Sequence, residues 1–432
     1  MKSVWHYTGA GGNFPELKND IQTDILVIGG GLAGLLCAYF LKLDGADVVL
    51  VESEKICGGI SGNTTAKITS QHALIYDDLI NKFGVQKAKQ YLEANNSALD
   101  EYRRMCENID CDFEEKSAYV YALNDVSKIT KEAEALKVLG LSADLVSATP
   151  LPFSVAGAIR FRNQAQFNPL KFAYSISKGL NIYEHTKIRE LIGTTAVTNM
   201  GRIKANKIIV ATHFPFINKH GSYFMKLYQD RSYVIALENA QNVDGMYIDE
   251  AEHGLSFRNY GDLLLLGGGG HRTGKDGGNY DVLRSFAKKY YPQAQEKYHW
   301  AAQDCMTLDG VPYVGHYSAQ TKNLFVATGF NKWGMTSSMA AAKILCDLVQ
   351  NRSNKYAALF SPSRTMLRPQ LAVNAFESVC GLLTPTAKRC PHLGCALKWN
   401  PVEHTWDCSC HGSRFEENGN LIDNPATADL KK

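Results

Sequence analysis

Two short segments near the end of the chain combine cysteine with histidine. The first reads CPHLGC and supplies Cys390 and His392; the second reads CSCHGSRF and supplies Cys408 and His411. Two thiolates and two imidazoles suit tetrahedral zinc. They also suit a two-iron cluster in which cysteines bind one iron and histidines bind the other. Because each segment contributes one ligand of each kind, the pattern favours the iron cluster, with zinc as the alternative.

A glycine-rich turn near the start of the chain is the second chemical signal. A strand-like DILVI precedes GGGLAG and a helix-like LLCAYFLKLDG follows, so that Gly29, Gly31 and Gly34 match G-x-G-x-x-G. These glycines permit a tight turn, close approach of a pyrophosphate and packing of the helix on the strand. Glu52 ends the next strand, DVVLVE, where a carboxylate can accept both ribose hydroxyls. The arrangement predicts a site for NAD or FAD.

Two later segments favour FAD over NAD. KIIVAT and NLFVATG read as buried strands, and the second is followed by FNKWGM and a helical TSSMAAAKILCDLV. The N-terminus of that helix would stabilise negative charge on a reduced isoalloxazine ring. NAD would not require this second cradle.

Length and composition limit the remaining possibilities. The 432 residues exceed the usual size of one domain, and a formal net charge of +3 gives no basic surface for nucleic acid or membranes. No apolar run approaches the roughly 20 residues that span a bilayer, and the first residues lack a signal-peptide pattern. The 11 cysteines, an odd number, favour reduced thiols or metal ligands. We expect a cytoplasmic protein with a small-molecule substrate, no nucleic-acid partner and no membrane insertion.

Together these segments resemble the D-amino acid oxidase and glycine oxidase superfamily, and more closely its bacterial members that carry a Rieske domain. The matching residues are IGGGLAGLLCAYFL with LVE, the loop GGISGNTTAKITSQH, and TLDGVPYVG with VATGFNKWGMTSS. The resemblance implies an α/β fold with a Rossmann-like FAD-binding domain, an inserted mixed-sheet substrate domain and a small all-β Rieske-like C-terminal module. The expected boundaries are 21–75, 166–213 and 301–350 for the FAD-binding domain, 76–165 and 214–300 for the substrate domain, and 366–432 for the Rieske-like module, which has too little chain for most of a base sheet.

The resemblance also implies roles for individual residues. Around FAD it implies Gly29, Gly31, Gly34 and Glu52 at the ADP half, Ile188 beside the adenine, Ser61, Thr64, Thr65 and Ala66 along the approach to the flavin, and Gly329, Lys332, Gly334 and Met335 at its pyrimidine edge. Around a Rieske [2Fe-2S] cluster it implies Cys390, His392, Cys408 and His411 as ligands, with both histidines nearest solvent, and a disulfide between Cys395 and Cys410.

One position departs from the superfamily. Relatives that oxidise amino acids carry an arginine before the T-x-D-G-x-P run, where it clamps the substrate carboxylate, but this chain reads AAQDCMTLDG with Asp304 there. An aspartate repels a carboxylate, which disfavours an ordinary α-amino acid. We therefore expect Lys332 to tune the flavin and His271, Arg272 or Asp304 to orient an amine or hydroxyl donor. The structural alternatives are a buried aspartate that caps a loop, an exposed lysine before a helix, and a surface turn at residues 271 and 272.

These expectations combine into a function. The sequence predicts an FAD-dependent dehydrogenase that oxidises a small amine or hydroxy compound and passes single electrons between the flavin, the cluster and an unidentified electron-transfer partner. Two alternatives remain open. One is a non-catalytic flavoprotein sensor or carrier with a structural zinc knuckle, and the other is an FAD oxidase that uses oxygen.

Overall fold

The computed structural model describes residues 2–9, 11–217, 220–277 and 279–431. Its helices are α1 Trp5–Thr8, α2 Leu32–Leu43, α3 Tyr76–Phe83, α4 Val85–Cys106, α5 Ser127–Val138, α6 Pro169–Ser177, α7 Tyr223–Lys226, α8 Asn279–Tyr290, α9 Gly334–Val349, α10 Ala357–Phe360 and α11 Pro369–Leu383. Its strands are β1 Ile21–Ile28, β2 Val48–Val51, β3 Lys67–Ile68, β4 Glu114–Ala122, β5 Asp144–Val146, β6 Gly157–Gln166, β7 Asn181–Tyr183, β8 Ile188–Ile192, β9 Thr195–Thr198, β10 Arg202–Val210, β11 Leu227–Glu238, β12 Met246–Asp249, β13 Ser256–Tyr260, β14 Leu263–Arg272, β15 Gln295–Thr307, β16 Tyr313–His316, β17 Leu324–Thr328, β18 Leu397–Asn400, β19 Thr405–Cys408, β20 Arg414–Glu416 and β21 Leu421–Asp423.

The first sheet carries the glycine-rich turn at the end of β1. Its strands lie in the order β16-β17-β10-β1-β2-β7, with β9 beside β10 and β8 beside β9. β1 pairs in parallel with β2 and with β10, so the carboxyl ends of these strands meet at one edge. All side chains of β2 are buried, as expected for a strand covered on both faces. The strands that the sequence predicted at DILVI, DVVLVE, KIIVAT and NLFVATG are confirmed.

Two glycines let β1 turn sharply into α2. Gly29 has a φ of 109°, and a Cβ there would lie 2.5 Å from the carbonyl oxygen of Ala211. A Cβ at Gly34 would lie 1.9 Å from the carbonyl oxygen of Gly29, because α2 packs directly against the turn. These glycines therefore set the distance between the helix and the strand.

The second sheet is mixed and has the order β15-β11-β14-β13-β12-β4-β6-β3, with β5 beside β6. β12 pairs in parallel with β4, whereas β11 pairs antiparallel with β14 and β15. β3 and the second half of β15 belong to this sheet, although they fall within segments that the sequence predicted for the FAD-binding domain. The domain boundaries themselves stay a prediction.

The two faces of β11 and β15 contact different parts of the molecule, because successive side chains of a strand point to opposite faces. On one face, the indole nitrogen of Trp300 donates to the carbonyl oxygen of Asn63 at 2.9 Å, in the loop between β2 and β3. On the other face, Gln229 donates to the carbonyl oxygen of His411 at 2.8 Å, in the C-terminal segment. The second sheet is therefore a shared wall.

The third sheet is small and antiparallel, in the order β18-β19-β20-β21. α11 precedes it and packs on the cysteine loops, since a Cβ at Gly381 would lie 2.5 Å from the Sγ of Cys410. The two larger sheets with their helices and this small antiparallel sheet agree with the expected fold class. Among the helices of the described ranges, none is long and apolar enough to cross a membrane.

Gly34→Ala is expected to destabilise the protein. The added methyl group overlaps the carbonyl oxygen of Gly29, and the forced shift of α2 costs about 1–3 kcal/mol. Gly12→Ala is the control, because the nearest atom to a Cβ at Gly12 lies 3.9 Å away, an ordinary van der Waals contact, and its φ is not in the left-handed region. Urea unfolding followed by circular dichroism compares the free energies of unfolding. Equal stability of the two variants would contradict this account of the turn.

Candidate functional site

A cavity of about 950 Å³ lies where the sheets meet. The turn after β1 borders it through Gly29 and Gly31, the second sheet through Ser232 and Asp304, and the third sheet through Thr405. The cavity is therefore enclosed by the nucleotide turn, the shared wall and the C-terminal module.

Most residues that the sequence assigned to FAD border this cavity. They are Gly29, Gly31, Glu52, Ser61, Thr64, Thr65, Ile188, Lys332, Gly334 and Met335. Gly34, Ala66 and Gly329 do not appear in its lining and shape the backbone around it instead. Gly329 has a φ of 72°, and a Cβ there would lie 2.3 Å from the Cγ2 of Thr307. Their individual roles toward FAD stay predictions.

The end of the cavity next to β1 and β2 fits the ADP half of FAD. Glu52 holds its position by accepting from the backbone nitrogen of Gly30 at 2.7 Å and from that of Glu54 at 2.9 Å. Ser61 accepts from the backbone nitrogen of Leu32 at 2.9 Å, in the first turn of α2. No side chain of the cap residue Gly31 blocks this helix terminus. The open terminus and its positive dipole end suit a pyrophosphate.

A second helix terminus faces the cavity at α9. Asn331 and Lys332 both have positive φ, which produces a tight turn before Gly334. Asn331 fixes this turn by accepting from the backbone nitrogen of Thr307 at 2.8 Å. Trp333, which has no side-chain cap function, stacks on the imidazole of His72 with ring centroids 4.9 Å apart. Such a terminus provides the second cradle that FAD needs and NAD does not.

Lys332 and two aspartates form a charged group at the cavity. The ammonium of Lys332 lies 3.3 Å from a carboxylate oxygen of Asp230, and Asp230 lies opposite Asp304 in the register of β11 and β15. Burial raises the pKa of Asp304 to about 6, although the charge of Lys332 opposes this shift. Asp230 was not predicted from the sequence, because only the pairing of β11 with β15 brings it beside Asp304.

The structure corrects the expected placement of His271 and Arg272, neither of which belongs to the lining of the cavity. The guanidinium of Arg272 donates to the carbonyl oxygens of Ser409 at 3.0 Å and Cys410 at 3.1 Å. His271 contacts the hydroxyl of Tyr233 at 3.0 Å. β14 thus leads onto the C-terminal module, where Arg272 supports the second cysteine loop.

The cysteine and histidine loops come together as the spacing predicted. The imidazole rings of His392 and His411 lie 4.9 Å apart between centroids. Cys390 and Cys408 are both buried, and a hydrogen bond with Cys408 is the main cause that raises the pKa of the Cys390 thiol. Burial lowers the pKa of His392 to about 4 and that of His411 to about 3, so both imidazoles are neutral at neutral pH, as a metal ligand requires.

This donor set fits a cluster. The Nδ1 of His411 is buried without a hydrogen-bond partner among the described residues, and its ring hydrogen-bonds to the backbone of Phe224. An orphaned imidazole nitrogen of this kind is the atom that a bound iron would satisfy. The expectation that both histidines lie nearest solvent is wrong for His411, which is 2% exposed and contacts Phe214 and Phe224. His392 is half-buried.

The remaining cysteines of the loops lie close by. The sulfur atoms of Cys395, Cys408 and Cys410 all lie within 4.8 Å of one another. Cys395 and Cys410 are free thiols here, so their disulfide stays a prediction. Both lie over Gly381, whose lack of a side chain leaves room for the sulfurs.

A buried ionic network fastens the third sheet to the shared wall. The guanidinium of Arg231 forms a two-pronged pair with Glu403, and its Nε donates at 2.8 Å. Arg414 lies 3.3 Å from Glu403 and 3.1 Å from Asp407. Although burial alone raises it, the pairing with Arg231 lowers the pKa of Glu403 to about 2. The C-terminal module is therefore held to the second sheet by buried ion pairs in which each charge is compensated by its partner.

Two buried glutamines complete the contact. Gln303 donates to the carbonyl oxygen of Gly412 at 2.8 Å and to the side-chain oxygen of Gln229 at 3.0 Å. Gln229 in turn donates to the carbonyl oxygens of His411 and Asn424 at 2.8 and 2.9 Å. The cluster loop is thus hydrogen-bonded to strands whose next residues, Asp230 and Asp304, form the charged group with Lys332.

A nucleotide cradle and a cysteine–histidine loop that share one wall define an oxidoreductase with two redox centres. Residues 24–348 match the family described as FAD dependent oxidoreductase, and residues 365–432 match the Rieske [2Fe-2S] domain. The chain therefore belongs to the FAD dependent oxidoreductase family and carries a C-terminal Rieske domain. Its cofactors are FAD and a [2Fe-2S] cluster, as the sequence predicted.

Relatives support the same architecture. The chain is 36% identical to the putative Rieske 2Fe-2S iron-sulfur protein YhfW of Bacillus subtilis (strain 168), over 97% of this chain and 95% of that protein. It is 24% identical to gamma-glutamylputrescine oxidoreductase of Escherichia coli (strain K12), over 84% of this chain and 93% of that protein. Glycine oxidase from Geobacillus kaustophilus shares the fold at a TM-score of 0.67 and 18% identity, with 80% of this chain and 99% of that chain covered. The expected fold class is confirmed.

Cys408→Ser is expected to abolish the cluster and leave FAD bound. The change removes one of the two thiolate ligands, whereas the flavin cradle lies on other elements. Iron, zinc, acid-labile sulfide and FAD are measured on anaerobically purified protein. Cys380→Ser, at an exposed position of α11, is the control and should keep the cluster. Zinc in place of iron and sulfide in the unmodified protein would overturn the assignment of the loops.

The pairing of Glu403 predicts a loss of stability in acid. Because its folded pKa is lowered to about 2, from about 4.3 in an unfolded chain, the carboxylate contributes stability above about pH 4. That contribution, about 3 kcal/mol, is lost as pH falls from about 4 toward 2. Glu403→Gln should lower the free energy of unfolding at neutral pH and flatten its fall in acid, as measured by urea unfolding across pH.

Glu377→Gln is the matched control for this experiment. It removes an ion pair with Lys275, a half-exposed partner outside the network of Glu403. The control should keep the steep fall in acid that the unmodified protein shows. A Glu403→Gln protein with the same steep fall would contradict the role given to this carboxylate.

Proposed function

We propose that this protein is an FAD-dependent dehydrogenase that oxidises a small amine or hydroxy compound and passes single electrons between the flavin and the Rieske cluster. FAD supplies a hydride acceptor that can release electrons singly, and a [2Fe-2S] cluster supplies a one-electron carrier. The protein's part is to bind the donor, exclude water and hold the two centres near each other. An electron-transfer partner, not yet identified, completes the cycle.

The shared wall is the observation that carries this proposal. Gln229 contacts the cluster loop and the adjacent Asp230 contacts Lys332 at the cavity, so neighbouring residues of β11 reach both centres. On β15, Gln303 and Asp304 repeat the arrangement. Strands β11 and β15 therefore contact both the cluster loop and the charged group at the cavity, which supports electron transfer between centres bound at these two places.

The two histidines suggest a direction across the cluster. Phe214 contacts the rings of both histidines, but His411 also contacts Phe224 and is buried, whereas His392 is half-buried. We infer that electrons cross between the flavin side and the cluster at His411. The exchange with the external partner then takes place on the side of His392.

The cavity favours a donor without a free carboxylate. Arg231 and Arg414, the arginines in its described lining, are both paired with Glu403. Asp304 instead offers an acceptor for an N–H or O–H group of the donor. The name of the relative gamma-glutamylputrescine oxidoreductase supports an amine as the oxidised group, but not the absence of a carboxylate, because the glutamyl part of that compound carries one. We propose that Asp304 orients the donor, which is the role that the sequence predicted for it.

The Rieske domain favours a dehydrogenase over an oxygen-using oxidase. The fold alone does not distinguish them, since glycine oxidase from Geobacillus kaustophilus shares it and L-proline dehydrogenase from P. horikoshii shares it too, at a TM-score of 0.67 and 18% identity with 81% of this chain and 98% of that chain covered. A dedicated one-electron outlet has no use if oxygen takes both electrons directly. The cytoplasmic location expected from the sequence remains part of the proposal.

An anaerobic screen of amines and hydroxy compounds tests the proposed function. A true donor should bleach the flavin absorbance and then produce the electron paramagnetic resonance signal of a reduced cluster. With Cys408→Ser, the same donor should still bleach the flavin, but reduction of an external one-electron acceptor such as ferricyanide should fall at least tenfold. Rapid formation of hydrogen peroxide in air, equal in Cys408→Ser and unmodified protein, would favour the oxidase instead.

A further inference from the structure

Lys67 is a half-buried amine that the proposed chemistry has not yet used. It opens the short strand β3, directly after the predicted flavin-approach residues, and its side chain borders the same cavity as Asp304 and Lys332. Its ammonium donates to the hydroxyl of Thr65 at 3.1 Å. Among the described residues no carboxylate lies within ion-pair distance of Lys67, whereas Lys332 has Asp230.

The surroundings of Lys67 disfavour its charged form. The guanidinium of Arg258 is 0% exposed. It donates to the carbonyl oxygens of Thr65 at 2.7 Å and Ala66 at 3.0 Å, the two residues that precede Lys67. The negative charge of Glu114 on β4 favours the charged form of Arg258. The other charged groups that face Lys67 across the cavity include Asp304 and Lys332. Burial, reinforced by the positive charge of Arg258, lowers the pKa of Lys67 to about 7.

We propose that Lys67 is the catalytic proton acceptor for the donor, an inference that rests on the proposed function. An alcohol donor R₂CH–OH must lose the proton from oxygen as its C–H bond breaks as hydride, whereas an amine donor, an ammonium R₂CH–NH₃⁺ at neutral pH, must lose one proton from nitrogen before hydride leaves and then departs as the iminium. The neutral amine of Lys67 takes that proton and becomes an ammonium, the carbon forms a double bond to oxygen or nitrogen, and the hydride with its electron pair goes to FAD. Atoms and charges then balance without a further reactant.

The position and chemistry of Lys67 suit this role better than those of its neighbours. A general base works best when its pKa lies near the working pH. The side chain of Lys332 is already engaged by Asp230, with 3.3 Å between its Nζ and a carboxylate oxygen. Asp304 is the competing base, because burial raises its pKa to about 6. Variants of Lys67 and of Asp304 distinguish the two candidates.

Competitive acetylation tests the state of Lys67 in the unmodified holoprotein. Trace acetic anhydride is added across a pH series, and mass spectrometry compares labelling of Lys67 with that of the exposed Lys178. Labelling of Lys67 should rise through a midpoint near pH 7 and level off while that of Lys178 still increases. Absence of labelling, or a rise parallel to that of Lys178, would overturn the proposal, since a donor could not reach a neutral amine there.

The rate of flavin bleaching under anaerobic conditions tests the catalytic role. With the fastest donor from the screen, the rate for the unmodified protein should rise through an apparent pKa near 7. Lys67→Met and Lys67→Arg should each lower the rate by about 10²–10⁴-fold and remove that rise, because neither side chain accepts the proton. FAD content and unfolding curves confirm that the variants are folded, and Lys67→Arg keeps the positive charge if Lys67→Met does not fold.

Asp304→Asn separates the two candidate bases. It should weaken donor binding while the rise near pH 7 remains. If instead Asp304→Asn abolishes the rise and both Lys67 variants keep it, Asp304 is the base and the inference about Lys67 fails. A screen that finds no donor at all would refute the proposed function, whereas the acetylation result bears on Lys67 alone.

Discussion

The buried pairing of Arg231 with Glu403 is the contact on which the two-centre arrangement depends. It fixes the third sheet against β11, and Arg414 and Asp407 extend it into the Rieske domain. A buried ion pair of this kind stabilises little against an apolar substitute, but loss of one partner leaves an uncompensated charge. Its directional, two-pronged geometry instead fixes the orientation of the module. The position of the cluster loop relative to the cavity follows from that orientation.

The Rieske domain takes support from the flavin domain at several points. Gln229 and Gln303 bind backbone carbonyls of the second cysteine loop, and Arg272 binds two more. Asn424 adds bonds to the carbonyl oxygens of Thr212 and Phe214, next to the nucleotide turn. That residues 366–432 lack most of a base sheet stays a prediction from the sequence, and these contacts supply support from outside the segment. Much of the polar backbone of the cluster loops is accordingly satisfied by side chains from the larger sheets, so the redox loop and the flavin domain form one folded unit.

Sequence patterns predicted the parts that depend on local geometry. A sharp strand-to-helix turn requires Gly29 and Gly34. The ligand spacing of two short loops requires two cysteines and two histidines: Cys390, His392, Cys408 and His411. Both sites could therefore be predicted from the sequence. Contacts between different sheets could not be predicted in this way. Asp230 pairs with Lys332, and Arg272 donates to the carbonyl oxygen of Cys410. Both contacts depend on the pairing of β11, β14 and β15 and on where the third sheet packs against these strands. No periodicity in a single chain encodes such a register between distant segments.

The alternation of side chains along β11 and β15 explains how one sheet can serve two centres without mixing their chemistry. Asp230 and Asp304 form the charged group with Lys332, whereas the adjacent Gln229 and Gln303 are neutral. These two amides bind the carbonyl oxygens of His411 and Gly412 without placing an ionisable group there. A charged residue at position 229 or 303 would lie buried beside the backbone of His411 and would bias the cluster toward one oxidation state. The charges that do lie near the module are compensated or aimed elsewhere on it: Arg231 is paired with Glu403, and Arg272 binds the carbonyl oxygens of Ser409 and Cys410 rather than that of His411.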